Sequence, residues 1–164
     1  MPFPVAIITT SDRAAAGEYE DVSGPLARQL FSEAGFTDVE VTVIPDEQDI
    51  IEETIIATVR KGARCVVTSG GTGVGPRDVT VEATLALAET EIPGITEEIR
   101  RIGAVHTPTA MLSRARCVTV RVAGFPPAVV MNSPGSPGGV EDTLAVLLPV
   151  LEHLLAQLDG ATGH

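Results

Sequence analysis

Two aspartates stand where a pair of carboxylates could bind a divalent cation. Asp46 follows the apolar run VEVTVI, and Asp78 ends the glycine-rich segment SGGTGVGPRD. Mg²⁺ is commonly held by one or two carboxylates together with phosphate oxygens, so the pair predicts a site for a metal-bound polyphosphate. Two simpler interpretations stay open: Asp46 as the N-cap of the next helix, and Asp78 in a local salt bridge with its neighbour Arg77.

Three loops, two of them rich in glycine, are candidates for binding an anion. They are TTSDRAAAGEYED, SGGTGVGPRD and NSPGSPGG. Glycine lets the backbone approach a ligand and turn its N–H groups inward, which suits phosphate. Tight turns alone would explain any one loop, but three in matching positions favour a binding face. Neither the P-loop nor the dinucleotide fingerprint is present, and Asp12 in TTSDR could instead brace its loop as an Asx turn.

The elements that carry these loops are predicted from an alternation of short β-branched runs and longer helical patterns. PVAIITT, VEVTVI and ARCVVTSG are the first three predicted strands. The third is apolar without alternation, which indicates a central parallel strand covered on both faces. CVTVRV and AVVMN are separated only by AGFPP, too short for a helical crossover, so they are predicted to be antiparallel. We therefore expect an α/β fold with a mostly parallel, mixed sheet and the three loops at its carboxyl edge.

Capping and breaking residues predict where the helices begin and end. Ser23 is predicted to cap a helix that stops at Gly35. VTVEATLALAE is predicted to form one continuous helix up to the break at Pro93. Ser136 is predicted to cap the last helix, with Pro137 at its first position.

Composition excludes several classes of function. The 164 residues are 44% hydrophobic with a formal charge of −11, which fits a folded domain that repels nucleic acids and anionic membranes. No apolar run approaches the roughly 20 residues of a membrane span, and MPFPVAII does not resemble a signal peptide. We therefore expect a cytoplasmic protein without nucleic-acid or membrane partners. The histidines lack metal-ligand spacing, and Cys65 and Cys117 are predicted to be buried free thiols.

The ordered set of motifs resembles the molybdopterin adenylyltransferase family of molybdenum cofactor biosynthesis. The strongest segment is TSGGTGVGPRDVTVEAT, accompanied by SDRAAAGEYEDVSGP, IPDEQ, PTAMLSRA and NSPGSPGG. The resemblance implies a three-layer α/β/α sandwich with a mostly parallel, mixed central sheet. It also implies one molybdopterin-binding domain over residues 1–160, with a flexible tail at 161–164.

The same resemblance implies an activity and its partners. A homotrimer would transfer AMP from ATP to the terminal phosphate of molybdopterin, with Mg²⁺ as cofactor and pyrophosphate as the second product. The adenylylated product would pass to a molybdate-insertion enzyme. A non-catalytic trimeric carrier of molybdopterin is the main alternative, and a nucleotide-binding regulator is a third.

Site residues are implied position by position. Asp46 and Asp78 match the essential acidic residues, as catalytic groups and metal ligands, and the intact Arg77–Asp78 pair favours an active nucleotidyltransferase. Two positions depart from the family pattern: Ser133, where an apolar residue is usual, and Val81, where proline is frequent. The implied substrate-binding residues are Ser11, Asp12, Gly70, Gly71, Thr72, Gly73, Arg77, Ser113, Arg114, Pro134, Gly135 and Ser136.

Overall fold

Six strands form one sheet in the computed structural model, which describes residues 3–161. Their order across the sheet is β2-β1-β3-β6-β5-β4. Strands β2, β1, β3 and β6 run parallel to one another. Strand β5 is antiparallel to β6, and β4 is antiparallel to β5. The predicted central position of the third strand and the antiparallel pair are both confirmed. The bounds are β1 Val5–Thr10, β2 Val39–Ile44, β3 Cys65–Ser69, β4 Ala88–Glu91, β5 Cys117–Val120 and β6 Ala128–Ser133.

Helices cover both faces of the sheet. On one face, Val5 and Ile7 of β1 pack in a core with Phe31 of α2 and with residues of α5 and α6. On the other face, Ile8 packs in a second core with Ile55 of α3 and with α4. The alternation of β1 side chains between two cores confirms the three-layer α/β/α sandwich. The helices are α1 Asp12–Ala15, α2 Ser23–Glu33, α3 Gln48–Arg60, α4 Thr80–Leu87, α5 Pro93–His106, a 3₁₀ helix Pro108–Leu112 and α6 Pro137–Leu158.

The last helix, α6, begins as predicted. The Ser136 side chain accepts a hydrogen bond from the N–H of Gly139 at 3.1 Å, and Pro137 occupies the first turn. The helix continues through Pro149 for 22 residues. Within residues 3–161 no helix combines the length and apolar character needed to cross a bilayer. Of the predicted tail, residues 162–164 lie outside the described residues.

Both cysteines are buried free thiols, as predicted, each at the first residue of a strand. Burial raises the pKa of Cys117 to about 12. The pKa of Cys65 is also raised, because its thiol is fully enclosed. Neither thiol ionises at neutral pH, so both act as small core side chains.

Two predicted helix features are wrong. The segment VTVEATLALAE does not stay helical: α4 stops at Leu87, and Ala88–Glu91 forms the edge strand β4 against β5. Pairing with the exposed edge of the sheet here outweighs a helix-favouring composition. Ser23 does not cap α2 either, because it is the first helical residue and its hydroxyl donates to the carbonyl of Gly135 at 2.8 Å. The predicted stop at Gly35 is confirmed by its φ of +94°.

Candidate active site

The functional loops meet at one edge of the sheet. Because β1, β2, β3 and β6 are parallel, the segments that follow them leave the sheet on the same side. Asp12 follows β1, Asp46 follows β2, the glycine-rich loop 70–78 follows β3, and residues 134–136 follow β6. The topology therefore brings together the carboxylates and the glycines that the sequence singled out.

Asp12 and Asp46 are tied to each other by two hydrogen bonds. The N–H of Asp12 donates to Oδ2 of Asp46 at 2.9 Å, and the N–H of Asp46 donates to Oδ1 of Asp12 at 3.0 Å. The N-cap interpretation of Asp46 is wrong, because the cap of α3 is Glu47 and it forms no side-chain cap bond. The Asx-turn interpretation of Asp12 is wrong as well, since its carboxylate accepts from the distant Asp46 and Arg77, whereas Ser11 caps α1.

Arg77 pairs with Asp12 and not with its neighbour in the chain. Its Nε donates to Oδ2 of Asp12 at 3.0 Å, and its Nη2 donates to Oδ1 at 3.0 Å. These bonds lower the pKa of Asp12 below its ordinary range. The local Arg77–Asp78 salt bridge considered from the sequence is therefore not formed. The carboxylate of Asp78 stays available on the loop side of the site.

Asp78 turns its carboxylate into the concave side of the glycine-rich loop. The N–H of Gly75 donates to its Oδ2 at 2.8 Å. A Cβ added to Gly73 or Gly75 would come within 2.8 or 2.9 Å of the same oxygen. A side chain at either position would therefore push the Asp78 carboxylate aside, so the two glycines leave room for its present orientation.

Two further glycines shape the bottom of this loop. Gly70 and Gly71 have φ values of +106° and +66°. An added Cβ would collide with the carbonyl oxygen of Thr10 at the first position and with the hydroxyl of Thr80 at the second. The hydroxyls of Thr10 and Thr80 are themselves hydrogen-bonded at 3.0 Å. The backbone of the loop is thus pressed against the ends of β1 and α4.

The carboxylate oxygens of Asp46 and Asp78 are ligands that suit a hard divalent cation. Burial raises the pKa of Asp46, and the negative charges of Asp12 and Asp78 raise it further. A cation between the carboxylates would relieve this repulsion. Oδ1 of Asp46 and Oδ1 of Asp78 accept no hydrogen bond from residues 3–161, so each carboxylate keeps one oxygen for a ligand.

The protein supplies only part of a coordination shell. Within residues 3–161 no group of three or more histidine, cysteine or acidic side chains is arranged to hold a metal ion. Mg²⁺ typically completes its six positions with water and substrate phosphates. The residues present therefore fit Mg²⁺ that arrives with a phosphate ligand, with Asp46 and Asp78 as its protein ligands.

Arg114 fastens the glycine-rich loop to the segment after the 3₁₀ helix. Its Nε donates to the carbonyl of Gly73 at 2.7 Å, and its Nη2 donates to the carbonyl of Asp78 at 2.9 Å. The guanidinium also forms a two-point ion pair with Glu82 of α4, which lowers the pKa of Glu82. These contacts make Arg114 and Glu82 a brace for the backbone that presents Asp78.

A cavity of about 540 Å³ opens beside the carboxylates. It lies between α5, the 3₁₀ helix, the start of α6 and the glycine-rich loop. Thr72 and Gly73 form its border with the loop, so the cavity and the carboxylate of Asp78 adjoin the same residue, Gly73. Its volume is in the range of small-molecule sites, which are typically 300–1,000 Å³. Three more implied substrate residues line it: Ser113, Pro134 and Ser136.

A family model described as a probable molybdopterin binding domain matches residues 6–153. The chain belongs to this family. The match covers every strand of the sheet and all the loops of the site, so the resemblance that the motifs indicated is confirmed.

Relatives of this molybdopterin-binding domain include both separate proteins and parts of longer ones. The molybdopterin adenylyltransferase of Escherichia coli K12 is 39% identical over 143 residues, covering 85% of this chain and 71% of that protein. A molybdenum cofactor biosynthesis bifunctional protein of Chlorobaculum tepidum is 38% identical over 97% of this chain, which spans only 49% of the relative. The chain thus spans about half the length of such bifunctional relatives.

Solved structures share the fold closely. The molybdopterin biosynthesis Mog protein of Mycobacterium ulcerans is 40% identical, with a TM-score of 0.85 over 95% of this chain and 99% of that chain. A solved MogA chain is 41% identical, with a TM-score of 0.86 over 94% of this chain and 99% of the other.

In this molybdopterin-binding domain the predicted residues divide between two adjoining places. Asp12, Asp46, Arg77 and Asp78 surround the carboxylate site, and Gly70, Gly71 and Gly135 pack together beneath the loop. Thr72, Gly73, Ser113, Pro134 and Ser136 line the cavity. The hydroxyl of Ser11 caps α1 and also bonds Tyr19, and Arg114 belongs to the brace.

The sequence alone missed two features of the site. Glu82 contacts Arg114 across 32 residues of chain, and no local pattern indicates that pair. The cavity wall from α5 and the 3₁₀ helix was missed because its residues carry ordinary helical patterns. Only the packing of α5 against α6 reveals that the two helices leave a space.

Proposed function

We propose that the protein is a molybdopterin adenylyltransferase, which transfers AMP from ATP to the terminal phosphate of molybdopterin and releases pyrophosphate. The observation that carries the proposal is the position of Asp46 and Asp78. Each has a free carboxylate oxygen beside a glycine-rich loop, and that loop adjoins a cavity large enough for a fused heterocycle. Relatives of separate-protein length carry this activity in their names.

The chemistry needs positioning and charge stabilisation more than proton transfer. An oxygen of the molybdopterin phosphate attacks the α-phosphorus of ATP, the new P–O bond forms in line, and the bond to the β-phosphate oxygen breaks. A phosphate monoester is already ionised at neutral pH, so no strong general base is required. This agrees with a site built from carboxylates and backbone N–H groups.

In the proposal, different residues of the site bind the two phosphate-bearing substrates. In the proposal, the ring system of molybdopterin occupies the cavity, and its phosphate lies over the loop 70–73. Asp46 and Asp78 would hold Mg²⁺, which would supply positive charge near the phosphates of ATP. Arg77 is exposed and reaches the same region through Asp12. A chain with a charge of −11 needs such cations to bring two anions together.

The proposed function also implies an oligomeric state and a cellular location. We propose a homotrimer, supported by the exposed apolar side chains Val105, Met111 and Leu112 near the cavity, which are 74%, 65% and 56% exposed. Sedimentation at micromolar concentration should give three times the mass of the chain, and a monomer throughout that range would refute it. Use of ATP points to the cytoplasm, with a molybdate-insertion enzyme as the recipient of the product.

The proposal is tested by incubating the protein with molybdopterin, ATP and Mg²⁺. We expect pyrophosphate and adenylylated molybdopterin in equal amounts, detected by a coupled assay and by mass spectrometry, and neither product when any one component is omitted. Binding of molybdopterin without turnover would instead indicate a carrier. Binding of ATP without binding of molybdopterin would indicate a nucleotide-dependent regulator.

A further inference from the structure

Asp142 is an acidic residue of the cavity wall that has no partner in the protein. It lies in the second turn of α6, half-buried, and borders the cavity together with Thr96, Ile99 and Gly103 of α5. Among residues 3–161 no hydrogen bond or ion pair engages its carboxylate. Arg100 lines the same cavity, but its guanidinium donates to the carbonyl oxygens of Ser113 and Ala115.

The close approach of α5 places Gly103 directly in front of this carboxylate. A Cβ on Gly103 would lie 3.0 Å from the Cβ of Ala110 and 3.2 Å from Oδ2 of Asp142. Glycine at position 103 therefore keeps the space in front of the carboxylate open. A bound ligand with hydrogen-bond donors would give this carboxylate the partners that residues 3–161 do not supply.

We propose that Asp142 recognises the 2-amino-4-oxopyrimidine edge of a pterin in this cavity, an inference that rests on the proposed function. That edge presents two adjacent donors, the 2-amino group and the N3–H. The two oxygens of a carboxylate match such a pair with two parallel hydrogen bonds, as they match a guanidinium. Adenine offers a donor next to an acceptor on its corresponding edge, so the same carboxylate disfavours the base of ATP.

The position of Asp142 also sets the direction of the bound molecule. Thr72 and Gly73, which belong to the loop that carries Asp78, line the same cavity as Asp142. A pterin held by its pyrimidine edge at Asp142 presents its opposite side, which carries the phosphate chain, toward that loop. In this proposal Asp142 selects the pterin ring and orients the attacking phosphate, whereas Asp46 and Asp78 act on ATP.

The test is direct binding to the full chain and to two charge-matched variants. Molybdopterin, pterin and lumazine are titrated without ATP into the wild type, Asp142→Asn and Glu152→Gln. Lumazine has an oxo group where pterin has the 2-amino group. We expect the wild type to bind pterin about tenfold more tightly than lumazine, a difference of about 1.4 kcal/mol, because lumazine lacks the 2-amino donor.

Asp142→Asn is expected to weaken molybdopterin binding about tenfold and to remove the preference for pterin, because its amide puts a donor against a donor. Glu152→Gln removes the same charge from an exposed residue of α6 that does not line the cavity, and it should keep the preference. A wild type that does not distinguish pterin from lumazine, or an Asp142→Asn variant that keeps the distinction, would overturn the proposal. Loss of the preference in Glu152→Gln alone would do so too.

The experiment distinguishes failure of the Asp142 assignment from failure of the proposed adenylyltransferase activity. If Asp142 controls pterin binding and no pyrophosphate is released, the proposed function fails and the assignment of Asp142 stands. If pyrophosphate is released and Asp142→Asn binds molybdopterin like the wild type, the assignment fails and the function stands. Melting temperatures of the variants show whether both are folded when they are compared.

Discussion

Asp12 and Asp46 each donate a backbone N–H to the carboxylate of the other, at 2.9 and 3.0 Å. This exchange joins the carboxyl ends of β1 and β2, which are neighbouring parallel strands. It uses Oδ2 of Asp46 and leaves Oδ1 for a ligand. Asp12 therefore acts as a positioning residue for Asp46, in addition to holding Arg77.

Replacing Asp12 tests this positioning role. Asp12→Ala removes the acceptor for the N–H of Asp46, and we expect kcat for pyrophosphate release to fall on the order of tenfold, because a small displacement of a catalytic group is costly. Asp12→Asn keeps an oxygen acceptor and should retain most of the activity. Equal losses of kcat in the two variants would show that the negative charge of Asp12 matters and that its hydrogen bond from the N–H of Asp46 does not.

The stability of Asp46→Asn should depend on pH. Burial and the charges of Asp12 and Asp78 raise the pKa of Asp46 above its ordinary value of 3.8. The folded protein therefore binds this proton more tightly than the unfolded chain, and stability is lost as the pH rises through the raised pKa. Below pH 3.8 the carboxyl is protonated in both states and imposes no penalty.

Asp46→Asn lacks this penalty at every pH. Its melting temperature should be close to that of the wild type near pH 3.5 and higher than that of the wild type near pH 7. Thermal unfolding of both proteins across this range measures the difference. A variant that is less stable than the wild type at pH 7 would mean that the ionised carboxylate stabilises the fold.

Glu82→Gln tests the brace formed with Arg114. We expect a several-fold lower kcat and a higher Mg²⁺ requirement, because Arg114 holds the carbonyls of Gly73 and Asp78 and would lose its charged partner. The stability cost should stay below about 1 kcal/mol, as for other exposed ion pairs.

Glu98→Gln is the matched control for the brace. The pair of Glu98 with Arg101 has the same two-point geometry and similar exposure, 43% against 45% for Glu82, and lies on α5. It should leave kcat and the Mg²⁺ requirement unchanged. Equal kinetic effects of the two substitutions would refute a specific role for Glu82.

Local patterns in the sequence predicted most of the sheet and the carboxylate pair. Continuous apolar runs identified β1 and β3, and the order of strands and helices put Asp46 and Asp78 at one edge. The wrong predictions are all decided by contacts distant in the chain. Ser23 bonds Gly135, Arg77 pairs with Asp12, and the segment after Leu87 pairs with β5. Residue type at one position does not encode such partners.

The cavity could not be predicted from local sequence patterns either. Its residues come from α5, the 3₁₀ helix, α6 and two loops. Each helix alone has an ordinary amphipathic pattern, so neither reveals an opening between them. Asp142 therefore reads as a surface residue in the sequence, and only the packing against Gly103 gives it a different environment.

If Asp46 and Asp78 together support adenylyl transfer, Asp46→Asn and Asp78→Asn must both release pyrophosphate more slowly than the wild type. Asp49→Asn, an exposed change of the same charge on α3, is the control and should match the wild type. Loss of one metal ligand should cost roughly 3 kcal/mol of transition-state stabilisation, which corresponds to a rate on the order of a hundredfold lower. Affinity for molybdopterin should stay unchanged in both variants. Full activity in either variant would contradict the account, because that carboxylate would then have no part in the reaction.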